Sequence, residues 1–372
     1  MKKEQFSDLL NDLDDQLIEE AGSLLGKRRY FPFAMAMLAM AGVLVVFSLR
    51  LAMTVNPPSE ENADIVLPMI PFVDPSSHNM GYESYFEADI ITKGNPWTGT
   101  MDAYPVFKNL AYADPNADSW GLGKDEQKQL IQAYADAHGL TIVSIQETGK
   151  PDLFLTATTD QGTIFSTYYG RLTYSPSNEY IPPSDTQLSK EEQEKLLLEA
   201  YATWQSWFDI THPAFVTNMG QGSDGILQNF FYEKSGDELQ DILHYNFNRA
   251  SIIFQKTDTL VVARLAMDMR DKVLEEIATY PIRTPMDATQ SLFAGNYLSN
   301  YPTWLEISND ATIAKCEIVY NTDVHSPICM PFYKFYIEDT TNYAMDAIAQ
   351  PVYGAYYVPA IQDKYLDDSW QY

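Results

Sequence analysis

The sequence predicts an α+β protein: a single N-terminal transmembrane helix, then an ectodomain of two units, each a helix followed by three antiparallel strands, with a middle segment of helix and strands between them. Three observations predict it. Nineteen uncharged residues run from Phe31 to Leu49. A helix–strand–strand–strand order occurs twice, near 124–174 and near 284–360. Stretches rich in Pro, Ser and Asn separate these blocks. The expected organisation is a cytoplasmic acidic tail (1–29), the transmembrane helix (30–53), an extended linker (54–95), a first α+β unit (96–180), a middle segment (181–280) and a second α+β unit (281–372).

In the tail, Phe6, Leu10, Leu13 and Leu17 follow i, i+4, i+7, i+11 spacing and so share one helix face. Asp8, Asp12, Asp15 and Glu19 repeat that spacing two residues later, nearly opposite. Ser7 can cap the helix and Gly22 stops it. About 15 residues of helix are marginal alone in water, so the Leu face gains by lying on something. Seven acidic residues make an anionic membrane surface a poor support. A protein groove with a basic rim fits, and Phe6, Leu10, Leu13 and Leu17 are the expected partner-binding residues. A solvated, frayed tail that only sets topology is the alternative.

The apolar run spans roughly 28 Å as a helix, close to the hydrocarbon thickness of a bilayer. Lys27, Arg28 and Arg29 flank it on one side, and beyond Arg50 the next basic residue is Lys93. That asymmetry places the N-terminus in the cytoplasm and the large domain outside. A cleaved signal peptide would need a short basic start and a small-x-small site, and neither is present.

Residues 54–80 read as an extended spacer. "KDEQKQLIQAYADAHG" is a helix stopped by Gly139, and "LTIVSIQE", "LFLTATT" and "GTIFSTYYGRLTY" are three strands. After "SPSNEYIPPSD", a long helix follows Ser189. "ILHYNFNRASIIFQKTDTLVVARLAM" reads as strands and "RDKVLEEIATY" as a short helix stopped by Pro281. "TPMDATQSLFAGN" is a helix with Pro at its first position, followed by strands "ATIAKCEIVY", "ICMPFYKFYIE" and "PVYGAYYVPA".

Composition narrows the functions. The net charge is −27 in 372 residues, which excludes a nucleic-acid binder. After residue 53 lie 44 of the 51 acidic and 18 of the 24 basic residues, a net of −26. Such a field can gather cationic ligands without naming one. Two cysteines cannot frame a disulfide scaffold. Cys316 and Cys329 sit on successive strands, so a cross-strand disulfide and two small core residues are both open readings.

No motif points to catalysis. Gly220, Gly222 and Gly225 of "GQGSDG" have GxGxxG spacing but no βαβ unit around them. Asp114, Asn116, Asp118 and Asp125 have calcium-loop spacing, yet Ser119 stands where glycine belongs and the closing Glu is missing; Asx turns explain the same residues. The five histidines are scattered and Ser223 lacks the GxSxG frame. The reading is non-catalytic, with no cofactor and no metal. Trp97, Trp120, Trp204, Trp207 and Trp304 can line a glycan groove or pack a core.

Helices with acidic starts followed by three strands, the last one Tyr-rich, resemble the PepSY-type unit. The stretch from Tyr280 onward ("YPIRTPMDATQSLFAG", "IAKCEIVY", "MPFYKFYIE", "YGAYYVPAI") is more specifically similar to ectodomains of YycH/YycI-type regulators of bacteria. The tail looks like those of anti-sigma-type membrane regulators, without the His/Cys set of their zinc-binding class. The resemblance implies an extracytoplasmic sensor or regulator in the bacterial cell membrane. It would couple an outside binding domain to a protein partner at the membrane or in the cytoplasm, of sensor-kinase or sigma-factor-regulator type. The alternative is a surface-anchored module that binds cell-wall glycan or peptide with a passive tail.

Overall fold

A computed structural model describes residues 66–74, 84–86, 101–176, 190–217, 227–256, 260–299, 301, 307–308, 311–339 and 351–370. The chain divides into two units, 1–66 and 67–372, and all described residues except Val66 belong to the second. The tail with Phe6, Leu10, Leu13 and Leu17, and the apolar segment from Phe31 to Leu49, lie outside the described residues. Among the described residues, no helix is long and apolar enough to cross a membrane.

The described residues form a predominantly β protein, with fifteen strands and four α-helices. Three antiparallel sheets hold the strands. The largest has eight, in the order β3 (Ile142–Glu147), β4 (Phe154–Thr159), β5 (Thr163–Thr167), β6 (Arg171–Ser175), β10 (Leu260–Asp268), β9 (Ala250–Lys256), β8 (Leu227–Glu233) and β7 (Pro213–Thr217). A four-stranded sheet runs β1 (Ser84–Phe86), β15 (Val352–Pro359), β14 (Pro331–Glu338), β12 (Ile313–Tyr320). A three-stranded sheet runs β11 (Leu274–Pro281), β2 (Ala103–Asn109), β13 (Ile328–Cys329).

This corrects the expected class of two separate helix-plus-three-strand units. β6 pairs β10 from Leu265↔Tyr174 to Asp268↔Arg171, so the early strands and the middle strands share one sheet. A continuous ladder satisfies the backbone groups that two separate sheets would leave at their edges. The expected third strand is also a hairpin, β5–β6, turning at Gly170, whose φ is +79°. A Cβ there would stand 2.5 Å from the Met269 carbonyl oxygen, so only glycine fits.

The helices pack by their apolar stripes. In α1 (Lys124–Ala137), Ile131, Tyr134 and Ala135 lie on the large sheet against Leu155, Ala157, Ile164 and Leu172. Glu126 Oε2 accepts from the Gly123 N–H at 2.8 Å, and Gly139 (φ +64°) ends the helix. α2 (Lys190–Trp204) brings Ala200, Tyr201 and Trp204 to the same core. α4 (Pro285–Phe293) packs on the four-stranded sheet through Ala288 and Leu292. Thr284 Oγ1 caps it by accepting from the Asp287 N–H at 3.1 Å, with proline at the first turn as expected.

Two segments differ from expectation. "ELQDILHYNF" is helix α3 (Glu238–Phe247), capped by Asp237, whose side chain accepts from the Gln240 N–H at 3.0 Å. "LEEIATYP" is strand β11, preceded by a short 3-10 turn at Arg270–Val273. Its Leu, Glu and Ala favour helix, but pairing with β2 from Leu274↔Asn109 to Pro281↔Ala103 overrides that preference.

Candidate functional site

A cleft of about 510 Å³ opens where β11 ends, α4 begins and the chain leaves β15. Ile282, Arg283, Thr284, Gln290, Gln362 and Asp363 are among the residues lining it. At its base Arg283 is only 7% exposed. A buried guanidinium must spend its donors on acceptors. Nη1 donates to Ser291 Oγ at 3.0 Å, and Nε and Nη2 donate to the Ile361 carbonyl at 3.3 and 3.2 Å. Nη2 also pairs with Asp363 Oδ1. The backbone is pinned too: Arg283 N–H donates to the Ala360 carbonyl at 2.8 Å, and Tyr333 Oη donates to the Arg283 carbonyl at 2.7 Å. Burial pushes the Tyr333 hydroxyl well above its ordinary pKa, so it stays a donor.

Asp363 differs from its partner. Its side chain is 77% exposed, and it opens a 3-10 turn, Asp363–Tyr365. Carboxamides of Gln290, Asn296 and Gln362 share the lining, and Asp287 adds a second carboxylate. Among the described residues of the lining there is no cysteine, histidine or lysine. It can hold and orient a polar ligand; its Thr284 hydroxyl donates to Asp287 Oδ2 at 2.8 Å as part of the helix cap.

The turn beside the cleft grips the segment that follows residue 66. Ile70 N–H donates to the Tyr365 carbonyl at 2.8 Å, and the Ile70 carbonyl accepts from Asp367 N–H and Trp370 Nε1 at 3.0 Å each. Phe72 N–H donates to Ser369 Oγ at 2.8 Å, Tyr280 Oη donates to the Pro68 carbonyl at 3.0 Å, and Phe72 meets the Trp370 ring edge-on. Ile70 is 1% exposed and Val73 2%. These residues were expected to be free spacer. Every third residue anchors instead, Ile70 and Val73 in the core with Leu67 packed against it, because these apolar side chains have a pocket to fill.

A second cluster sits in the four-stranded sheet. Lys334 on β14 is buried, its Nζ 2.8 Å from Tyr85 Oη and 4.6, 5.2 and 5.3 Å from the ring centres of Tyr85, Tyr336 and Tyr357. Tyr336 Oη donates to Glu317 Oε1 at 2.7 Å, and Lys315 Nζ meets Glu317 Oε2 at 2.8 Å. Tyrosine faces and hydroxyls together compensate the buried charges.

The residues singled out in the sequence have other places. Cys316 lies on β12 and Cys329 on β13, in different sheets, and both are free thiols. Burial pushes the Cys329 thiol up to about 12, which makes it inert at neutral pH. Asp114 Oδ1 accepts from the Asn116 N–H at 2.8 Å, an Asx turn, and among the described residues no three His, Cys, Asp or Glu side chains converge as metal ligands. Gly220, Gly222, Gly225, Ser223, Trp97 and Trp304 lie outside the described residues. Trp207 stacks with His138 and with Tyr174, ring centres 4.0 and 4.4 Å away, so its ring is engaged in packing. Trp120 Nε1 donates to the Asp114 carbonyl at 2.7 Å and its ring meets Tyr168 edge-on.

Sequence reasoning missed Arg283, Gln362 and Asp363. The nearest signal was an arginine between a strand end and the "TPMD" cap. Its partners lie 78 and 80 residues further along the chain, which no local pattern reveals.

No family model matches the chain. No curated protein matches it either. A solved structure of an uncharacterised protein from Eubacterium rectale ATCC 33656 is similar at 12% identity, covering 70% of this chain and 84% of that chain, with a TM-score of 0.33. A likeness of that size carries no argument about function.

Proposed function

We propose that this is a non-catalytic, single-pass membrane protein of bacteria: an extracytoplasmic sensor or regulator whose outside domain binds a ligand and whose cytoplasmic tail engages a protein partner. The observation that carries the reading is the anchoring of the 67–73 segment by Ile70 and Val73 in the domain core, beside the cleft. A passive surface module works best on a loose spacer. A regulator needs the opposite: the segment that leads back toward the apolar stretch of the sequence must respond to the domain's state, since a ligand acts only through differential affinity for two states. The packing of Trp207 against His138 and Tyr174 weighs against the glycan-binding alternative.

The test is purification of the full-length protein from its own membranes, with identification of co-purifying proteins. The control changes Leu10, Leu13 and Leu17 to Asp. A partner present with the native chain and absent from the control is the expected result. Identical partner sets would reduce the tail to a topology device and end the reading.

A further inference from the structure

The cleft and the grip on Ile70 share one short turn. Tyr365 N–H donates to the Gln362 carbonyl at 3.0 Å and Leu366 N–H to the Asp363 carbonyl at 3.0 Å, so residues 362–366 form one hydrogen-bonded turn. One end of this turn lines the cleft with Gln362 and Asp363. The other end holds Ile70, through the Tyr365 carbonyl and a parallel bridge from Leu366. Only Lys364 lies between the carboxylate on Arg283 and the carbonyl on Ile70.

The two members of the Arg283–Asp363 pair are held unequally. Arg283 is fixed by the Ile361 carbonyl, Ser291 and its own backbone bonds. Asp363 faces solvent, so an incoming carboxylate can replace it without leaving Arg283 buried and unpaired. A plain anion is disfavoured by the two carboxylates of the lining and by the surrounding net charge of −26. A plain cation meets the guanidinium. One positive and two negative groups among carboxamides suit a ligand carrying both signs.

We propose that the cleft receives a small zwitterion, a free α-amino acid or a dipeptide. Its carboxylate takes the place of Asp363 on Arg283, and its ammonium faces Asp287 and the released Asp363. Gln362 stays held by the Pro281 and Ile282 carbonyls, at 3.2 Å each, while loss of the Asp363 bond loosens the 363–366 end of the turn and with it the grip on Ile70. The inference rests on the regulator reading above and names its ligand class and its first conformational step.

The experiment uses the full-length protein in lipid nanodiscs, calorimetry, and hydrogen exchange over residues 67–73 and 365–370. The probes are L-alanine, L-alanyl-L-alanine, the N-acetylated dipeptide and the dipeptide amide. The expected result is heat from L-alanine or the dipeptide, binding weakened about tenfold or more by either cap, and exchange about tenfold faster in both segments when the site is filled. Asp363→Asn should give the fast exchange without ligand while leaving the cooperative unfolding transition in place. This exposed position keeps the test open even where Arg283→Lys fails to fold. No heat from either uncapped probe, capped forms that bind equally well, or unchanged exchange in the filled protein and in Asp363→Asn would each overturn the proposal. A tail-dependent partner found together with no heat would end the ligand assignment and leave the regulator reading standing.

Discussion

The eight-stranded sheet and the four-stranded sheet use the same ladder chemistry in opposite surroundings. Along β4 burial alternates residue by residue: Leu155, Ala157 and Thr159 face the helix-covered core while Phe154, Thr156 and Thr158 are half-exposed. Along β15 every residue is buried, and along β14 every one but Glu338. The first sheet has one dry face, the second has two. A one-faced sheet tolerates change on its wet side, and a sheet covered on both sides has no cheap positions. Polar groups in the second sheet must therefore be paired, as the Lys334 and Glu317 contacts with tyrosines show. The cleft with its chain-gripping turn belongs to the same half of the fold as that sheet.

The contrast can be broken by substitution, and the largest effect belongs to Tyr336. Tyr336→Ala should cost about 3–5 kcal/mol in chemical denaturation, because it empties a buried aromatic site and strands Glu317 Oε1. A cost as small as that of an outward β4 residue would mean that the two sheets do not differ in the way burial implies. Lys334→Ala should follow, at roughly 2–4 kcal/mol, since it removes a cation packed among tyrosines opposite the buried Glu317. A neutral result would show that the cluster is held by packing alone.

Glu233 sharpens the comparison from the large sheet's side. Burial opposes its ionisation, but the backbone N–H and ring of His212 and the N–H and hydroxyl of Thr211 outweigh burial and hold the carboxyl down from its ordinary 4.5 to about 2. A depressed folded-state value gives stability that is fully present above the unfolded value and lost as pH falls through the folded one. Glu233→Gln should thus cost about 1 kcal/mol at pH 7, since the site is near the surface, and the difference from the native chain should shrink between pH 4.5 and 2. A pH-independent cost would point to shape rather than charge.

The smallest effects belong to the outward positions. Thr156→Ala on β4 and Val143→Lys on the edge strand β3, where Val143 is 68% exposed and sits at a register shift, should each stay within about 0.5 kcal/mol. Losses of 2 kcal/mol or more at either position would show a second covered face on the large sheet as well.

Legibility in the sequence followed the range of the interactions. α1 and α4 were readable because caps, periodicity and stop signals lie within one helix length; Gly139 and the Thr284-Pro285 pair sit where those signals place them. Strands β3 and β4 were readable for the same reason. β11 was not, because its partner β2 lies some 170 residues earlier in a stretch that reads as irregular, and its own residues favour helix. α3 was missed although Asp237 gives a local cap signal, since "ILHYNF" on its own resembles a strand. The cleft was hidden because Arg283 acquires its base and its partner only when the ends of β11 and β15 meet.

The amino-acid sequence by itself determined the charge balance, the single long apolar segment and the helices with complete local signals. Each of these depends on composition or on neighbours within a few turns of chain. Tertiary structure decided that two strand sets merge into one sheet, that "LEEIATYP" is a strand, that Ile70 and Val73 are core, and that Arg283 and Asp363 pair in the lining of one cleft. The physical reason is common to all four: burial and pairing energies of side chains far apart in sequence exceed the local preferences that a short window of residues can express.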